Sequence, residues 1–218
     1  MHYFLRALIW IINCLFPHKA KRDWSTVTQE YFTHLSPAIH DSVLQKINGT
    51  AIFSYQDTFM RDVIHALKYQ GGLDLSKLLA EFLYDYIYES VSEKILFCKE
   101  PICLIPIPLS MLRLVERGYN QSESLCRELI KLFKDTPVTL QTDILMRTHT
   151  QSQTSMRSRL ERRKNIQDCF SIRDGVSVKD KYIILIDDVI TTGSTMRAAR
   201  KALLHAGAKE VRCVAVAH

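Results

Sequence analysis

The chain has 218 residues, which is enough for one α/β domain or for one domain with a short appendage. Hydrophobic residues make up 47% and charged residues 24% of it, so a sizeable core can form without disulfides or structural metals. A net charge of +6 suits an anionic partner such as a phosphate ester or a nucleic acid, and six scattered cysteines without a CxxC pair favour a reduced, cytoplasmic chain.

The first predicted element is an apolar run, Ala7–Ile12, bounded by Arg6 and Asn13. The run is too short to span a bilayer, and no small-residue cleavage site follows it. We therefore predict no integral membrane span and expect a helix that packs against the body of the protein. A helix on a membrane surface, a helix that binds a partner and a cleaved signal peptide are the alternatives.

Three helix breakers, Pro17, Pro37 and Gly49, interrupt the residues that follow. This pattern predicts a mainly helical N-terminal extension over residues 1–50. A regular succession of helices and strands begins after it, so we assign residues 51–218 to one domain.

Two amphipathic helices open that domain. In the first, apolar residues recur at helical spacing: Phe59, Val63, Ile64 and Leu67. Asp57 is placed to cap the start of this helix, and the pair Gly71 and Gly72 to stop it. The second helix is predicted from about Leu75 to Val91.

The pattern then changes to short apolar runs that alternate with helices. The predicted strands are Ile102–Pro108, Tyr182–Ile186 and Val211–Ala217, with two further strands in Asp143–Arg147 and Cys169–Ile172. A helix is predicted over Gly118–Phe133, with Leu125, Leu129, Leu132 and Phe133 on one face. Another helix is predicted over Thr195–Ala206, and Gly207 stops it. This alternation predicts an α/β fold with a parallel or mostly parallel central sheet and helices on both faces.

The stretch ILIDDVITTGST, residues 184–195, joins two of these elements and carries the strongest chemical signal. Ligands of such sheets bind at the carboxyl ends of the strands, where we place Asp187 and Asp188. A loop of small residues lets backbone N–H groups and a helix N-terminus converge on a phosphate, and Gly193 allows the backbone angle this requires. Adjacent carboxylates repel phosphate but accept hydrogen bonds from a sugar diol. The sequence therefore predicts a ribose phosphate site.

Two other interpretations of this stretch are weaker. A polar turn in which Asp188 or Thr191 only caps the next helix does not require two acids and five permissive residues. A Walker-type loop is unlikely because the GK[ST] sequence is missing.

The same stretch closely resembles the signature of type I phosphoribosyltransferases, which bind 5-phosphoribosyl 1-pyrophosphate (PRPP). The resemblance implies a type I phosphoribosyltransferase fold and Mg²⁺ held through PRPP rather than by direct protein ligands. It makes Asp187 and Asp188 the catalytic acids that contact the ribose hydroxyls. The loop around the 5′-phosphate would be Val189, Ile190, Thr191, Thr192, Gly193, Ser194 and Thr195.

Three further segments, in chain order, narrow the resemblance: VIHALKYQGG, LIPIPLSMLRLVERGYNQSESL and TQSQTSMRSRLERRKNIQDCF. Together with the PRPP loop they look like the ComF family of competence-associated proteins, over about residues 50–218. That resemblance implies a link to the uptake of transforming DNA. Many members begin with a zinc-binding segment rich in cysteine, whereas this chain has only Cys14 and, as the nearest other ligand, His18. We therefore expect no structural zinc.

Two basic segments are candidates for the pyrophosphate side of the site, because a departing pyrophosphate needs cations. Arg113 and Arg117 lie in the loop predicted after the strand that begins at Ile102; the alternative is that they are solvated surface charges. The second segment includes Arg147, Arg157, Arg159, Arg162, Arg163 and Lys164. We expect it to be a lid with Arg162 and Arg163 over pyrophosphate, although a track for single-stranded DNA and a solvated helix face are alternatives.

Three functions follow from these features. The first is an enzyme that displaces pyrophosphate from PRPP with an unidentified acceptor. The second is a non-catalytic protein that binds PRPP, a nucleotide or single-stranded DNA and acts with DNA-uptake partners. The third is an inert relative of the fold, which the intact acids and loop argue against. An oligomer is compatible with each of them.

Overall fold

The computed structural model describes residues 23–70, 73–97, 101–147 and 169–218. The strands are β1 Gly49–Phe53, β2 Ile102–Pro106, β3 Val138–Leu140, β4 Leu145–Arg147, β5 Phe170–Ile172, β6 Tyr182–Val189 and β7 Glu210–Ala217. Five of them form a sheet in the order β1-β7-β6-β2-β3, and every neighbouring pair is parallel. The predicted parallel central sheet is therefore confirmed.

Six α-helices and two short 3₁₀ turns lie within the described residues. The turns are Trp24–Thr26 and Gln29–Phe32, and the helices are α1 Ser42–Lys46, α2 Thr58–Tyr69, α3 Leu73–Phe97, α4 Met111–Arg117, α5 Gln121–Leu132 and α6 Ser194–His205.

The helices cover both faces of the sheet, as predicted. Strand β6 shows why, because its residues Ile183 to Ile186 are all buried and point alternately to opposite faces. Ile184 and Ile186 join a core with apolar residues of α2, α3 and α5. Ile183 and Leu185 join a second core with those of α1 and α6. The central strands are thus fixed from both sides, which holds their carboxyl ends in place.

The helices predicted within residues 51–218 are present, with differences at their ends. Asp57 caps α2 by accepting hydrogen bonds from the backbone N–H groups of Phe59 and Met60, at 2.8 and 3.3 Å. Helix α3 is longer at both ends than its apolar pattern indicated. Leu132 of α5 was assigned to the apolar face, but it is 38% exposed, whereas the neighbouring Phe133 is buried.

Three elements were missed. Strands β1 and β3 are short and lie at the two edges of the sheet. Helix α4 has only seven residues and none of them is buried, so its apolar pattern is too short to predict a helix. Arg113 and Arg117 therefore lie on this helix and not in a loop.

Two further corrections concern strands. The two strands predicted on either side of the second basic segment, β4 and β5, do exist but pair antiparallel in a small sheet of their own. The strand before the acids was predicted to end at Ile186. It continues to Val189, because Asp187 and Val189 still pair with Ala215 and Ala217 of β7.

Part of the N-terminal region packs on the domain. Phe32 is buried, and its ring lies 5.5 Å from that of Phe53 and 5.2 Å from that of Phe82. The boundary at residue 50 stays a prediction. Residues 1–22 lie outside the described part of the chain, and with them the predicted apolar helix and the residues Cys14 and His18. In the described ranges, no helix is both long and apolar enough to cross a membrane.

Candidate functional site

A cleft of about 290 Å³ opens at the carboxyl ends of β2 and β6. Seven of the residues predicted for the site line this cleft: Asp187, Asp188, Val189, Thr191, Thr195, Arg113 and Arg117. Its other walls come from Tyr55, Lys68, Ile107, Pro108, Leu109, Gln121 and Arg147. Arg162 and Arg163, the predicted lid residues, lie outside the described residues.

The two acids form the floor of the cleft. One oxygen of Asp187, Oδ1, accepts hydrogen bonds from the Ser122 hydroxyl and from the Asp188 backbone N–H, both at 2.9 Å. Asp188 is buried and its Oδ2 lies 3.3 Å from the Lys68 ammonium. The pair is therefore held by one hydroxyl from α5 and one cation from α2.

The pKa of Asp187 is raised to about 7. Loss of solvent around the carboxyl is the larger cause, and the negative charge of Asp188 is the second. The hydrogen bonds from Ser122 and from the Asp188 N–H, and the charge of Lys68, oppose the shift because they favour the ionised form. Asp187 thus changes its charge close to neutral pH.

The loop after β6 turns sharply into helix α6. Gly193 adopts a left-handed backbone conformation, with φ of 66°, and is the N-cap residue of α6. It offers no side-chain cap, so the interpretation in which Asp188 or Thr191 caps this helix is wrong. The N–H groups of the first turn are left for another acceptor, which is the usual arrangement of a phosphate-binding helix N-terminus. The Thr192 and Ser194 hydroxyls lie 3.0 Å apart beside it.

Helix α1 braces this loop from behind. A Cβ atom added to Gly193 would lie 2.8 Å from Val43 Cγ1, so the Val43 side chain packs against Gly193 more closely than a residue with a Cβ atom would allow. His218 links the same parts, because its Nδ1 lies 2.8 Å from the Ile190 carbonyl oxygen and its Nε2 lies 3.2 Å from Asp41 Oδ1. Asp41 in turn caps α1. No local pattern in the sequence indicates this role of His218, since its partners are distant along the chain.

Four cationic residues also line the cleft and are called its cationic wall: Lys68, Arg113, Arg117 and Arg147. Arg117 donates a hydrogen bond to Gln121 Oε1 at 2.8 Å and lies over the Tyr69 ring at 5.3 Å. Its Nε is buried and has no hydrogen-bond partner among the described residues. Lys68 was not predicted as a site residue, and the one sequence signal for it was its place in the quoted segment VIHALKYQGG.

The run Arg-Gly-Tyr-Asn-Gln ties three elements together around the cleft. The Tyr119 hydroxyl donates to the Leu67 carbonyl at the end of α2. Asn120 donates to the Ile107 carbonyl at 3.0 Å and caps α5 by accepting from Ser122 N–H at 3.1 Å. The motif therefore sets the distance between the cationic wall and the strand ends, in addition to supplying Arg117.

The described ranges contain no group of three or more His, Cys, Asp or Glu residues placed to hold a metal. The two aspartates are hard oxygen donors of the kind that Mg²⁺ prefers, but two side chains leave most of its octahedral coordination to other ligands. This donor set fits a Mg²⁺ ion that arrives with a phosphorylated ligand and keeps its water.

Comparison with known proteins agrees with this geometry. Residues 38–218 match the model of the phosphoribosyl transferase domain family. Competence protein F of Haemophilus influenzae is 32% identical over 150 residues, which are 69% of this chain and 64% of the relative. Competence protein ComFC of Streptococcus pneumoniae is 33% identical over 166 residues, 76% of this chain and 66% of the relative. The chain thus spans just under two thirds of the length of these relatives.

Among solved structures, a hypoxanthine phosphoribosyltransferase from Trypanosoma cruzi is 12% identical to this chain. The match has a TM-score of 0.41 and covers 65% of this chain and 64% of that one.

Proposed function

The chain belongs to the phosphoribosyl transferase domain family and, within it, to the ComF-like competence proteins, and we propose that its cleft binds PRPP with Mg²⁺ and transfers the phosphoribosyl group to an acceptor. One observation carries this proposal. A pair of acids, an uncapped helix N-terminus and a row of cations line a single cleft at the carboxyl end of the sheet. Each part matches one of the three chemical groups of PRPP.

The 5′-phosphate fits the loop from Val189 to Thr195. The N–H groups of the first turn of α6 have no side-chain cap, and the Thr191 and Thr195 side chains line the cleft. Backbone donors and the positive end of the helix dipole favour a phosphate there, and hydroxyls add further donors. Helix α1 packs against Gly193 through Val43 and so supports the loop.

The ribose fits the floor of the cleft. Its vicinal hydroxyls are donors, and Asp187 and Asp188 are adjacent acceptors that protein groups hold in place. The same carboxylates lie where positive charge develops on the ribose as its bond to pyrophosphate breaks. Preorganised negative charge of this kind lowers the barrier for an oxocarbenium-like transition state.

The pyrophosphate fits the cationic wall. Arg113, Arg117 and Arg147 have no acid within ion-pair distance in the described ranges, so their charges are available to an anion. The buried, unpartnered Nε of Arg117 is a donor that a phosphate oxygen would satisfy. Mg²⁺ bound with PRPP would neutralise part of the pyrophosphate charge.

The reaction is a substitution at the anomeric carbon. A lone pair of the acceptor forms the new bond, the bond to pyrophosphate breaks, and its electron pair leaves with the pyrophosphate. No protein side chain forms a covalent bond, so the protein acts through positioning and electrostatics. A role of Arg162 and Arg163 in covering the pyrophosphate remains a prediction from the sequence.

The relatives support a place in the handling of incoming DNA. Two of them carry the names competence protein F and competence protein ComFC, and others are named DNA utilization protein. We propose that this protein acts in the cytoplasm in DNA uptake or in the use of that DNA.

A second candidate function is binding without catalysis, of PRPP or of single-stranded DNA. It is favoured by the same three arginines, because unpaired cations in a groove also suit a phosphate backbone.

One assay separates the two functions. Purified protein is incubated with PRPP, Mg²⁺ and, in turn, nucleobases, amines and single-stranded DNA, and released pyrophosphate is measured. An Asp187→Asn and Asp188→Asn double variant is the control. Release above that control with one acceptor supports the enzyme. Tight PRPP binding without release by any acceptor supports the binding protein.

A further inference from the structure

Lys68 stands apart from the other cations of the cleft. It is paired with an acid: its ammonium lies 3.3 Å from Asp188 Oδ2, and the two side chains are only 20% and 9% exposed. The ion pair joins the cationic wall to the floor of the cleft. Arg113, Arg117 and Arg147 make no such pair with any described residue.

The backbone of Lys68 is held by two neighbouring side chains, whereas its ammonium is held less tightly. The Tyr119 hydroxyl donates to the carbonyl of Leu67, and Gln121 Nε2 donates to the carbonyl of Lys68 at 3.4 Å. The end of α2 is therefore tied to the segment that carries Arg117. By contrast, the ammonium makes one polar contact with the described residues, and its 3.3 Å is longer than the usual 2.7–2.9 Å of a strong charge-assisted hydrogen bond.

The ion pair between Lys68 and Asp188 occupies an oxygen atom that the ribose of a ligand would also use. A sugar hydroxyl bound to Asp188 Oδ2 competes with the ammonium for that oxygen. In the proposed binding mode, the anomeric substituent of that sugar would lie toward the wall that contains Lys68. A pyrophosphate carries more negative charge than one carboxylate. A lysine has a flexible stem and a compact charge, which suits it to change partners.

We propose that Lys68 exchanges partners when PRPP binds: it holds Asp188 in the empty cleft and moves to the pyrophosphate when the ribose diol takes its place. This inference rests on the proposed function of the same site. The exchange keeps both charges compensated before and after binding, because Asp188 gains hydroxyl donors as Lys68 gains a phosphate.

The exchange makes Lys68 a residue that selects for the pyrophosphate. Ribose 5-phosphate has the same diol and the same 5′-phosphate but lacks the anion that draws Lys68 away. Its diol must displace the ammonium without compensation. Lys68 thus disfavours ribose 5-phosphate and favours PRPP, so its removal affects the two ligands in opposite directions.

The test is calorimetric titration of the wild-type protein and of Lys68→Met with PRPP and with ribose 5-phosphate, each in Mg²⁺. We expect the variant to bind PRPP more weakly by about tenfold or more, the effect of one lost charge-assisted contact. We expect it to bind ribose 5-phosphate as well as the wild type or more tightly. Lys131→Met is the matched control, because Lys131 is a 65% exposed lysine of α5 and its change should affect neither ligand.

Other results would overturn the exchange. If Lys68→Met weakens both ligands by the same factor, Lys68 is a fixed support of Asp188. If it weakens neither, Lys68 has no role in binding. Should circular dichroism show that this variant does not fold, Lys68→Gln is used with the same expectations. A wild-type protein that binds neither ligand overturns the proposed function itself, and this outcome is recognised without any variant.

Discussion

Gly193 is the position where backbone conformation, packing and the proposed phosphate loop depend most closely on one another. Its φ of 66° costs about 1–2 kcal/mol for a residue with a Cβ atom. The added methyl would also lie 2.8 Å from Val43 Cγ1, and overpacking of this kind costs about 1–3 kcal/mol. We therefore expect Gly193→Ala to lower the free energy of unfolding by about 2–5 kcal/mol, the sum of these two costs. Urea denaturation measures it.

Gly175→Ala is the matched control. Gly175 has a similar φ of 78°, but an added Cβ meets no atom within 4 Å. In this variant the free energy of unfolding should fall only by the cost of the backbone conformation, about 1–2 kcal/mol. The variant should bind PRPP as the wild type does. Gly193→Ala should in addition weaken PRPP binding, because relief of the contact with Val43 moves the loop. Equal loss of stability in the two variants, with PRPP affinity unchanged in both, would refute the inference that α1 braces the loop.

Three further predictions concern charge in the cleft. Ser122→Ala removes a hydrogen bond that favours the ionised form of Asp187. The pKa of Asp187 should therefore rise above its value of about 7 in a carbon-detected NMR titration. A lower pKa in the variant would contradict the role assigned to Ser122. The folded-state pKa of Asp187 exceeds its ordinary value of 3.8, so protonated Asp187 contributes stability at acid pH that is lost as the pH rises to about 7. In urea denaturation, Asp187→Asn should reduce this decrease in the free energy of unfolding with pH. An unchanged pH profile in the variant would count against the raised pKa. Arg113→Met and Arg117→Met should each weaken PRPP binding by about tenfold and reduce its dependence on salt. Loss of single-stranded DNA binding alone in these variants would favour the second function instead.

The sequence was most informative where the chain is buried on both sides. The run Ile183 to Ile186 is continuous and apolar, which predicts a central strand, and the acids and small residues after it predict a ligand site at its end. The strand nevertheless continues through Asp187 to Val189, because pairing with Ala215 and Ala217 of β7 extends the ladder. Such pairing depends on a distant strand and leaves no signal in the local pattern.

The features that the sequence did not predict lack a sufficient signal in the local pattern. Helix α4 has only seven residues and buries none of them, so the helical spacing of Met111, Leu114 and Val115 is too short to indicate a helix. The roles of Lys68 and His218 come from contacts with Asp188, Ile190 and Asp41 that the fold brings together. A local pattern identifies elements and loops, whereas partners across the sheet require the tertiary structure.

The central claim is that this cleft binds PRPP through its two acids. Calorimetric titration of PRPP into the wild-type protein and into the Asp187→Asn and Asp188→Asn double variant, with Mg²⁺ and after its removal, tests that claim most directly. We predict Mg²⁺-dependent binding to the wild type and a loss of about 3 kcal/mol or more in the double variant, since two charge-assisted hydrogen bonds are lost. Equal affinity of the two proteins for PRPP, or no binding by the wild type, would contradict it.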